Sequence, residues 1–308
     1  MLHGAMTRAA MPTATPLVLL LDKPLGLSSN AALQRVRRML GKPKAGHTGT
    51  LDPLATGMLP ICLGEATKFA GHLLSEKKSY HCTLKLGVET ASGDADAPVV
   101  CELPVPALDA DQVVAALARF RGVIRQTPPI YSALKRDGVP LYRLARAGET
   151  VEVPEREVMI HRLELRRLAG DEIDLEVVCG SGTYIRSLGM DLARALDGVG
   201  HLSALRRLWV SPFEQRPMAS LADVEAWAAT AGEVTPAWLI PVDQTLCSIR
   251  AITVAADDVL ALCQGRAVAN LIGAAGSVRL YTTDGHFFGL GEVTDDGVLR
   301  ARRLLATG

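Results

Sequence analysis

The sequence predicts an α+β protein in which helices and loops flank a central mixed, mostly antiparallel sheet, followed by a small β-barrel-like domain. Apolar residues make up 48% of the 308-residue chain and charged residues 21%, a balance typical of a packed core. Residues 17–247 contain both strand-like and helical patterns, and we expect them to form one large domain after a loose tail of residues 1–16. Over residues 248–308, short apolar runs meet at Asp-Gly turns, which favours a second, β-rich domain.

The first two elements are a strand and a helix. The run PLVLLLDKP, from Pro16, is typical of a short buried strand. The segment NAALQRVRRML, which follows it, has apolar residues at helical spacing. Ser28, Ser29 or Asn30 can cap this helix, and Gly41 can end it in a left-handed conformation. The apolar residues of this helix are Leu33, Val36 and Leu40.

The next elements are a strand and a second helix. KKSYHCTLKLG alternates polar and apolar residues, which predicts a half-buried strand with Tyr80 on its inner face. A helix is predicted from about Asp109 to Phe120, with Gly122 after its end. Its predicted apolar stripe consists of Val113, Val114, Leu117 and Phe120.

The second half of the chain begins with a long irregular segment. Residues 124–152 combine two adjacent prolines, basic residues and tyrosines, and we expect an arm over the surface with short helical pieces. Two strands, REVMIHRLELRRL and DEIDLEVVCG, come next. A helix follows, with Ser181 or Thr183 as N-cap and Arg186 in its first turn. HLSALRRL is predicted as a second short basic helix, and Ser220 with Asp223 forms a capping box.

Composition excludes several classes of protein. The formal net charge is zero, so a nucleic-acid partner needs a local basic patch. Residues 23–51 hold six basic residues and no acidic one, although such a run is usually a solvated face. The six cysteines show no CxxC spacing, so no zinc cluster or disulfide framework is expected, and the chain fits the reducing cytoplasm. The apolar run 17–21 is too short to span a membrane.

The segment GKPKAGHTGTLDPLATG, residues 41–57, looks at first like a phosphate-binding loop. His47 stands where such a loop has its lysine, and the segment follows a helix instead of a strand, so both features argue against nucleoside triphosphate binding. What remains is Asp52 in a glycine-rich loop that Pro53 stiffens. An aspartate there is most often a turn former, so Asp52 needs neighbouring residues to make a site.

Six segments together resemble the TruB family of bacterial tRNA pseudouridine synthases, in order and with suitable spacing over residues 18–213. They are LLDKPLGLSSN, KAGHTGTLDPLATGMLPICLGEATK, KSYHCTLKLG, PPIYSALKRDGVPLYRLARAG, CGSGTYIRSLGMDLARAL and HLSALRRL. The resemblance implies the pseudouridine-synthase fold, with a PUA-type RNA-binding domain at residues 248–308. It also implies a cofactor-free, metal-free isomerisation of uridine 55 in the TΨC loop of tRNA. A monomer without an obligate protein partner is expected.

The resemblance also implies roles for individual residues. Asp52 would be the catalytic aspartate, Arg186 its cationic partner, and Tyr80 the ring against the reacting base. The remaining substrate-binding residues would be His47, Tyr184 and Lys23. In the arm, a clamp on the RNA loop would consist of Tyr131, Lys135, Arg136, Tyr142 and Arg143. The target base must leave its stack, because C1′, N1 and C5 are otherwise out of reach.

Structural alternatives exist for these residues. Without the surrounding motifs, Tyr80 would be a core tyrosine, Arg186 a surface helix arginine and His47 a hydrogen-bonded loop residue. Three rival functions also stay open: a non-catalytic RNA-binding protein or RNA chaperone, a synthase that needs a guide RNA and partner proteins, and a hydrolase with Asp52 as nucleophile.

Overall fold

A computed structural model of the chain describes residues 16–73, 77–130, 135–136, 139–140, 153–230, 234–269 and 274–305. Its strands are β1 (Leu17–Lys23), β2 (Ala45–His47), β3 (Ala55–Leu63), β4 (Lys77–Leu86), β5 (Val88–Thr90), β6 (Val99–Glu102), β7 (Gly122–Gln126), β8 (Lys135–Arg136), β9 (Val139–Pro140), β10 (Arg156–Ala169), β11 (Glu172–Gly180), β12 (Gly200–Val210), β13 (Leu239–Pro241), β14 (Arg250–Val254), β15 (Gly276–Thr282), β16 (Phe287–Val293) and β17 (Leu299–Leu304). The α-helices are α1 (Ser29–Met39), α2 (Ala110–Ala118), α3 (Ile185–Ala195), α4 (Leu221–Ala229) and α5 (Ala256–Cys263), and two 3₁₀ helices span Gly64–Leu73 and Val242–Leu246.

Within the described residues, nine strands form the central sheet in the order β13-β1-β3-β12-β4-β11-β10-β7, with β2 paired to β3. The β3–β12 pair is parallel, and the other strand pairs of this sheet in the described residues are antiparallel. The mixed, mostly antiparallel sheet predicted from the sequence is therefore confirmed.

Strand β1 shows why this sheet has a core on each face. Leu19 and Leu21 belong to one buried cluster and Val18 and Leu20 to another, because successive side chains of a strand point to opposite faces. Helices α1 to α4 cover the first face. The 3₁₀ helices cover the second face together with residues of the C-terminal sheet.

The ends of helix α1 follow from local chemistry. The Ser28 hydroxyl accepts a hydrogen bond from the Ala31 N–H, and Gly41 follows the C-cap residue with a φ of 78°. The Lys42 N–H then donates to the Arg37 carbonyl at 2.6 Å, the six-to-one bond of a Schellman motif. Both predicted ends of this helix are confirmed.

The C-terminal segment contains a sheet of four described strands in the order β14-β15-β16-β17. The two predicted Asp-Gly turns connect β15 to β16 and β16 to β17, and the sequence reading missed helix α5. This sheet contacts the rest of the chain: the Phe69 and Phe287 rings are 5.5 Å apart, and the Lys68 ammonium donates to the Leu304 carbonyl at 3.0 Å.

Three local predictions were wrong. HLSALRRL is not a helix but lies in strand β12, where two bulges interrupt the strand alternation. The N-cap of α3 is Tyr184, not Ser181 or Thr183, and Gln126 supplies the capping bond. Val114 is 45% exposed, whereas Ala116 is buried together with Val113 and Leu117.

Most of the predicted tail and arm lies outside the described residues. Tyr131, Tyr142 and Arg143 belong to that part, and Lys135 and Arg136 are described only as backbone in the β8–β9 pair. Residues 124–126, which were expected to start the arm, belong instead to strand β7 of the central sheet. In the part of the chain that is described, no helix has the length and apolar character to cross a membrane.

Candidate active site

The loop between β2 and β3 carries Asp52, and helix α1 fixes the residue before it. The buried Ser29 hydroxyl accepts a hydrogen bond from the Leu51 N–H at 2.7 Å and donates to the Leu51 carbonyl at 2.9 Å. After Asp52, the Pro53 carbonyl accepts from the Gly26 N–H at 2.9 Å. The backbone on both sides of the carboxylate is therefore anchored to other parts of the chain.

The buried guanidinium of Arg207, on strand β12, supports the same loop. Its Nε donates to the Met58 carbonyl at 2.7 Å, and its two Nη atoms lie 3.3 Å and 3.5 Å from the carbonyls of Gly49 and Thr50. Gly57 makes this approach possible, because a Cβ there would lie 2.1 Å from the Arg207 carbonyl oxygen. Arg207 has no role among the sequence predictions, which place its segment in a helix.

Arg186, in the first turn of α3, connects Asp52 to a second carboxylate. Its Nε lies 3.1 Å from Asp52 Oδ2, and its Nη1 lies 3.5 Å from Asp94 Oδ2. Nη1 also donates to the Ser92 carbonyl at 3.0 Å, and the Ser92 hydroxyl donates to Asp94 Oδ1 at 2.7 Å. The expected partner of Asp52 is in place, whereas no role for Asp94 is predicted from the sequence.

The electrostatic environment of Asp52 combines opposing effects. Loss of solvation raises the pKa of this carboxyl above its ordinary value, and the Asp94 carboxylate adds to the rise. The Arg186 guanidinium, and more weakly Lys23, favour the anion and lower the pKa. The side chain is still 39% exposed, because it faces a cavity. A ligand in that cavity would remove the remaining water.

That cavity, of about 890 Å³, brings together five of the six predicted site residues outside the arm: His47, Asp52, Tyr80, Tyr184 and Arg186. Among the described residues, no group of three or more His, Cys, Asp or Glu side chains is placed to hold a metal ion.

Two tyrosines line the cavity from different elements. Tyr80 lies on β4 with only 7% of its surface exposed, and burial raises the pKa of its hydroxyl while the charge of Arg207 opposes the rise. Tyr184 precedes α3, where its N–H donates to Gln126 Oε1 at 2.8 Å and its carbonyl accepts from Gln126 Nε2 at 2.9 Å. The guanidinium of Arg156 lies 4.9 Å from the centre of the Tyr184 ring. Both rings are held in place by neighbours.

His47 and Lys23 differ in their access to the cavity. Burial and the charge of Arg207 lower the pKa of His47, which favours a neutral imidazole, and its buried Nδ1 has no hydrogen-bond partner among the described residues. Lys23 is fully buried and is not among the cavity-lining residues. Its ammonium donates to the carbonyls of Pro24 at 3.0 Å and Leu27 at 2.5 Å. Burial lowers its pKa to about 8, against the attraction of Asp52.

The fold is shared with solved structures of low sequence identity. A structure of an H/ACA RNP bound to a substrate RNA containing 2′-deoxyuridine matches with a TM-score of 0.70 at 20% identity, over 98% of this chain and 92% of that chain. A Cbf5-Nop10-Gar1 complex matches with a TM-score of 0.70 at 23% identity, over 97% and 91%. At such identities the likeness concerns the fold alone.

Comparison of sequences identifies the family as well as the fold. Three family models match in succession: the TruB family pseudouridylate synthase N-terminal domain over residues 37–185, the tRNA pseudouridylate synthase B C-terminal domain over 186–247, and the pseudouridine synthase II TruB C-terminal model over 251–305. The tRNA pseudouridine synthase B of Aromatoleum aromaticum is 49% identical over 94% of this chain and 92% of its own length. That of Xanthomonas campestris is 48% identical over 93% of each. The chain therefore belongs to the TruB family of tRNA pseudouridine synthases, which are isomerases.

Proposed function

We propose that this chain converts the uridine at position 55, in the TΨC loop of tRNA, to pseudouridine without a cofactor, with Asp52 as the catalytic residue. The observation that carries the proposal is the ion pair of Asp52 with the buried Arg186, at 3.1 Å, in a cavity that Tyr80 also lines. The similarity to enzymes named tRNA pseudouridine synthase B supports tRNA as the substrate.

The reaction breaks the bond between N1 and C1′, turns the base and joins C5 to C1′, while C5 loses a proton and N1 gains one. The target nucleotide has to leave its stack first, and a loop base does so at the lowest cost. The ionised Asp52 then acts on the sugar side, either by attack on carbon or by removal of a sugar proton, in a site that the everted base closes to water.

The neighbours of Asp52 supply position and charge. Arg186 keeps the carboxylate anionic as the base displaces water, because a guanidinium stays charged at neutral pH. Tyr80 stacks on the uracil, an interaction worth about 1–3 kcal/mol per base, and Tyr184 supports the pocket. His47, as a neutral imidazole, offers the RNA a hydrogen bond instead of a charge. Lys23 contributes through its charge near Asp52.

The RNA outside the cavity needs a wider surface. The arm, now limited to residues 127–152 and including Tyr131, Lys135, Arg136, Tyr142 and Arg143, would clamp the RNA loop. Residues 248–308 would form a PUA-type RNA-binding domain. Phosphate contacts there make the affinity fall with salt. Four basic residues at α1 and the turn after it are exposed: Arg35, Arg38, Lys42 and Lys44. We expect a cytoplasmic monomer with no obligate protein partner.

The test uses purified protein, an unmodified tRNA transcript and a bare T stem-loop, with pseudouridine mapped by position. The wild type should convert uridine 55 in both RNAs. The Asp52→Asn variant should bind the stem-loop and form no pseudouridine. The Asp96→Asn variant, which removes an exposed carboxylate from the same cavity wall, is the matched control and should remain active.

Each rival predicts a different outcome of this experiment. A non-catalytic RNA-binding protein gives binding but no product even as wild type. A guide-dependent enzyme leaves the bare stem-loop unmodified until a guide RNA and partner proteins are added. A hydrolase releases free uracil. Any of these results would overturn the proposal.

A further inference from the structure

Two cationic side chains that line the cavity have no part in the mechanism above. Lys78 lies on β4 two residues before Tyr80, so both side chains project from the same face of the strand. The Lys78 side chain is half-buried and makes no hydrogen bond or ion pair within the described ranges. Burial, and next the charge of Arg207, lower the pKa of this ammonium. Among the described residues, the site therefore bears the cost of a partly desolvated cation with no anion beside it.

Arg156, the first residue of β10, is the second of these cations. Its guanidinium lies 4.9 Å from the centre of the Tyr184 ring, and its Nη2 donates to the Gly182 carbonyl. Its buried Nε has no acceptor among the residues that the structure describes. The Arg156 guanidinium is thus held in place by an aromatic ring and one carbonyl, and it keeps N–H donors that these two contacts do not use.

The carboxylates of the cavity do not supply the missing partner. Asp52 and Asp94 share the single guanidinium of Arg186. Asp96 is exposed at the cavity wall. No ion pair joins a carboxylate to Lys78 or Arg156 in the described part of the chain. A half-buried cation is retained at a cost unless something compensates its desolvation, and a bound anion would do so.

We propose that Lys78 and Arg156 bind a backbone phosphate next to the everted nucleotide. This inference rests on the proposed function, because it takes Tyr80 as the ring against the base. A step of two residues along a strand covers roughly 6.8 Å, so Lys78 lies beside the sugar–phosphate end of a nucleotide whose base contacts Tyr80. A planar guanidinium fork matches two phosphate oxygens, and an ammonium adds a point charge.

The test is a double-mutant cycle between one side chain and one phosphate. The protein variants are Lys78→Met and Arg156→Met, and the RNAs are T stem-loops with a neutral methylphosphonate at the linkage either 5′ or 3′ of the target uridine. Dissociation constants are measured in an Asp52→Asn background, so that no turnover occurs. The matched control is Lys77→Met, which removes an equal charge from the exposed neighbouring residue on the opposite face of β4.

On natural RNA, Lys78→Met should weaken binding about ten- to hundredfold, the range for a hydrogen bond to a charged group. The slope of log affinity against log salt should fall by about 0.7, the value for one phosphate of a single strand. With the methylphosphonate at the contacted linkage, the same substitution should change affinity less than twofold. The effect of Arg156→Met on affinity should likewise disappear when that same linkage is neutral. The effect of Lys77→Met should be the same whether either linkage is charged or neutral. In otherwise wild-type protein, Lys78→Met should raise KM and leave kcat nearly unchanged, because the contact exists before and during the reaction.

Failure of the phosphate site differs from failure of the proposed function. If wild-type protein forms pseudouridine but the losses from Lys78→Met and Arg156→Met are equal on charged and neutral linkages, the phosphate site is overturned alone. If wild-type protein forms none, the proposed function fails. Lys78→Met should not lower the thermal midpoint, because it removes a half-buried charge that has no ion-pair partner in the described ranges. A lowered midpoint would show a structural role and would contradict the proposal.

Discussion

Replacing Ser29 with alanine should disturb the Asp52 loop far more than the same change at Ser28. The two serines are adjacent at the start of α1, and both hydroxyls bond to backbone. Ser28 accepts from the Ala31 N–H as the N-cap, whereas Ser29 bonds to both the N–H and the carbonyl of Leu51. The pair therefore separates loss of a helix cap from loss of the loop anchor.

The expected magnitudes follow from what each change leaves without a partner. Loss of an N-cap hydroxyl costs about 1 kcal/mol of stability. Ser29→Ala leaves two backbone groups of the buried Leu51 unsatisfied, and each such group costs about 1–3 kcal/mol. If the loop stays buried, the free energy of unfolding should therefore fall by about 2–6 kcal/mol. If the loop moves to reach water, part of that cost appears as lost activity, at tenfold in rate per 1.4 kcal/mol.

The assay combines urea unfolding with single-turnover pseudouridine formation on a T stem-loop. For Ser28→Ala we expect slightly lower stability and an unchanged rate with saturating enzyme. For Ser29→Ala we expect the sum of the stability loss and the activation loss to exceed 2 kcal/mol, with the rate at saturation reduced. Equal behaviour of the two variants in both measurements would refute the idea that Ser29 positions the loop.

Two further predictions concern the same loop and its charges. Gly41→Ala and Gly57→Ala both place a side chain at positive φ, but only at Gly57 would the new Cβ meet the backbone of β12. Urea unfolding should show that Gly41→Ala lowers the free energy of unfolding by about 1–2 kcal/mol and that Gly57→Ala lowers it clearly more. Equal losses would contradict the close approach of β12 to Gly57. Because the pKa of Asp52 is raised and the reaction uses the anion, the rate should fall as pH drops through that pKa. Arg186→Gln removes a charge that lowers the pKa of Asp52, so the acid limb of the pH–rate profile should move to higher pH. Asp94→Asn removes a charge that raises this pKa, so the acid limb should move to lower pH. Shifts of the same sign for the two variants would disprove this electrostatic account.

Elements with local signals could be predicted from the sequence. Strand β1 is a run of apolar residues, β4 alternates over its length, and α1 has its cap, stripe and end glycine within one segment. Strand β12 has no such signal. Bulges after Leu202 and Arg207 space its buried residues from Leu202 onward, residues 202, 205, 207 and 210, by three, two and three positions. A spacing of three is typical of a helix, so the tertiary pairing with β3 and β4 decides the structure.

The site residues also divide into those that local motifs predict and those that only the fold brings together. Asp52, Tyr80 and Arg186 stand in motifs that identify the family, so their roles could be expected before any geometry was known. Asp94 stands in no such motif. Arg207 lies in the HLSALRRL segment, but the resemblance implied no role for it, and both residues reach the site across a long stretch of sequence. The Gln126 side chain caps α3 from 58 residues away. Side chains that meet through the fold cannot be paired from periodicity, because periodicity describes only neighbours along one element.

The loop of Asp52 is neither helix nor strand, yet its arrangement does not depend on the RNA. Ser29 holds it from 22 residues away and Arg207 from more than 150, and both sets of bonds are internal to the protein. Groups fixed before the substrate arrives need no reorganisation during the reaction. RNA binding then has to evert the base and bring C1′ to a carboxylate that already has its cation. Substitutions behind the loop should therefore lower kcat, whereas Lys78→Met should act through KM, and the two kinetic constants separate positioning from binding.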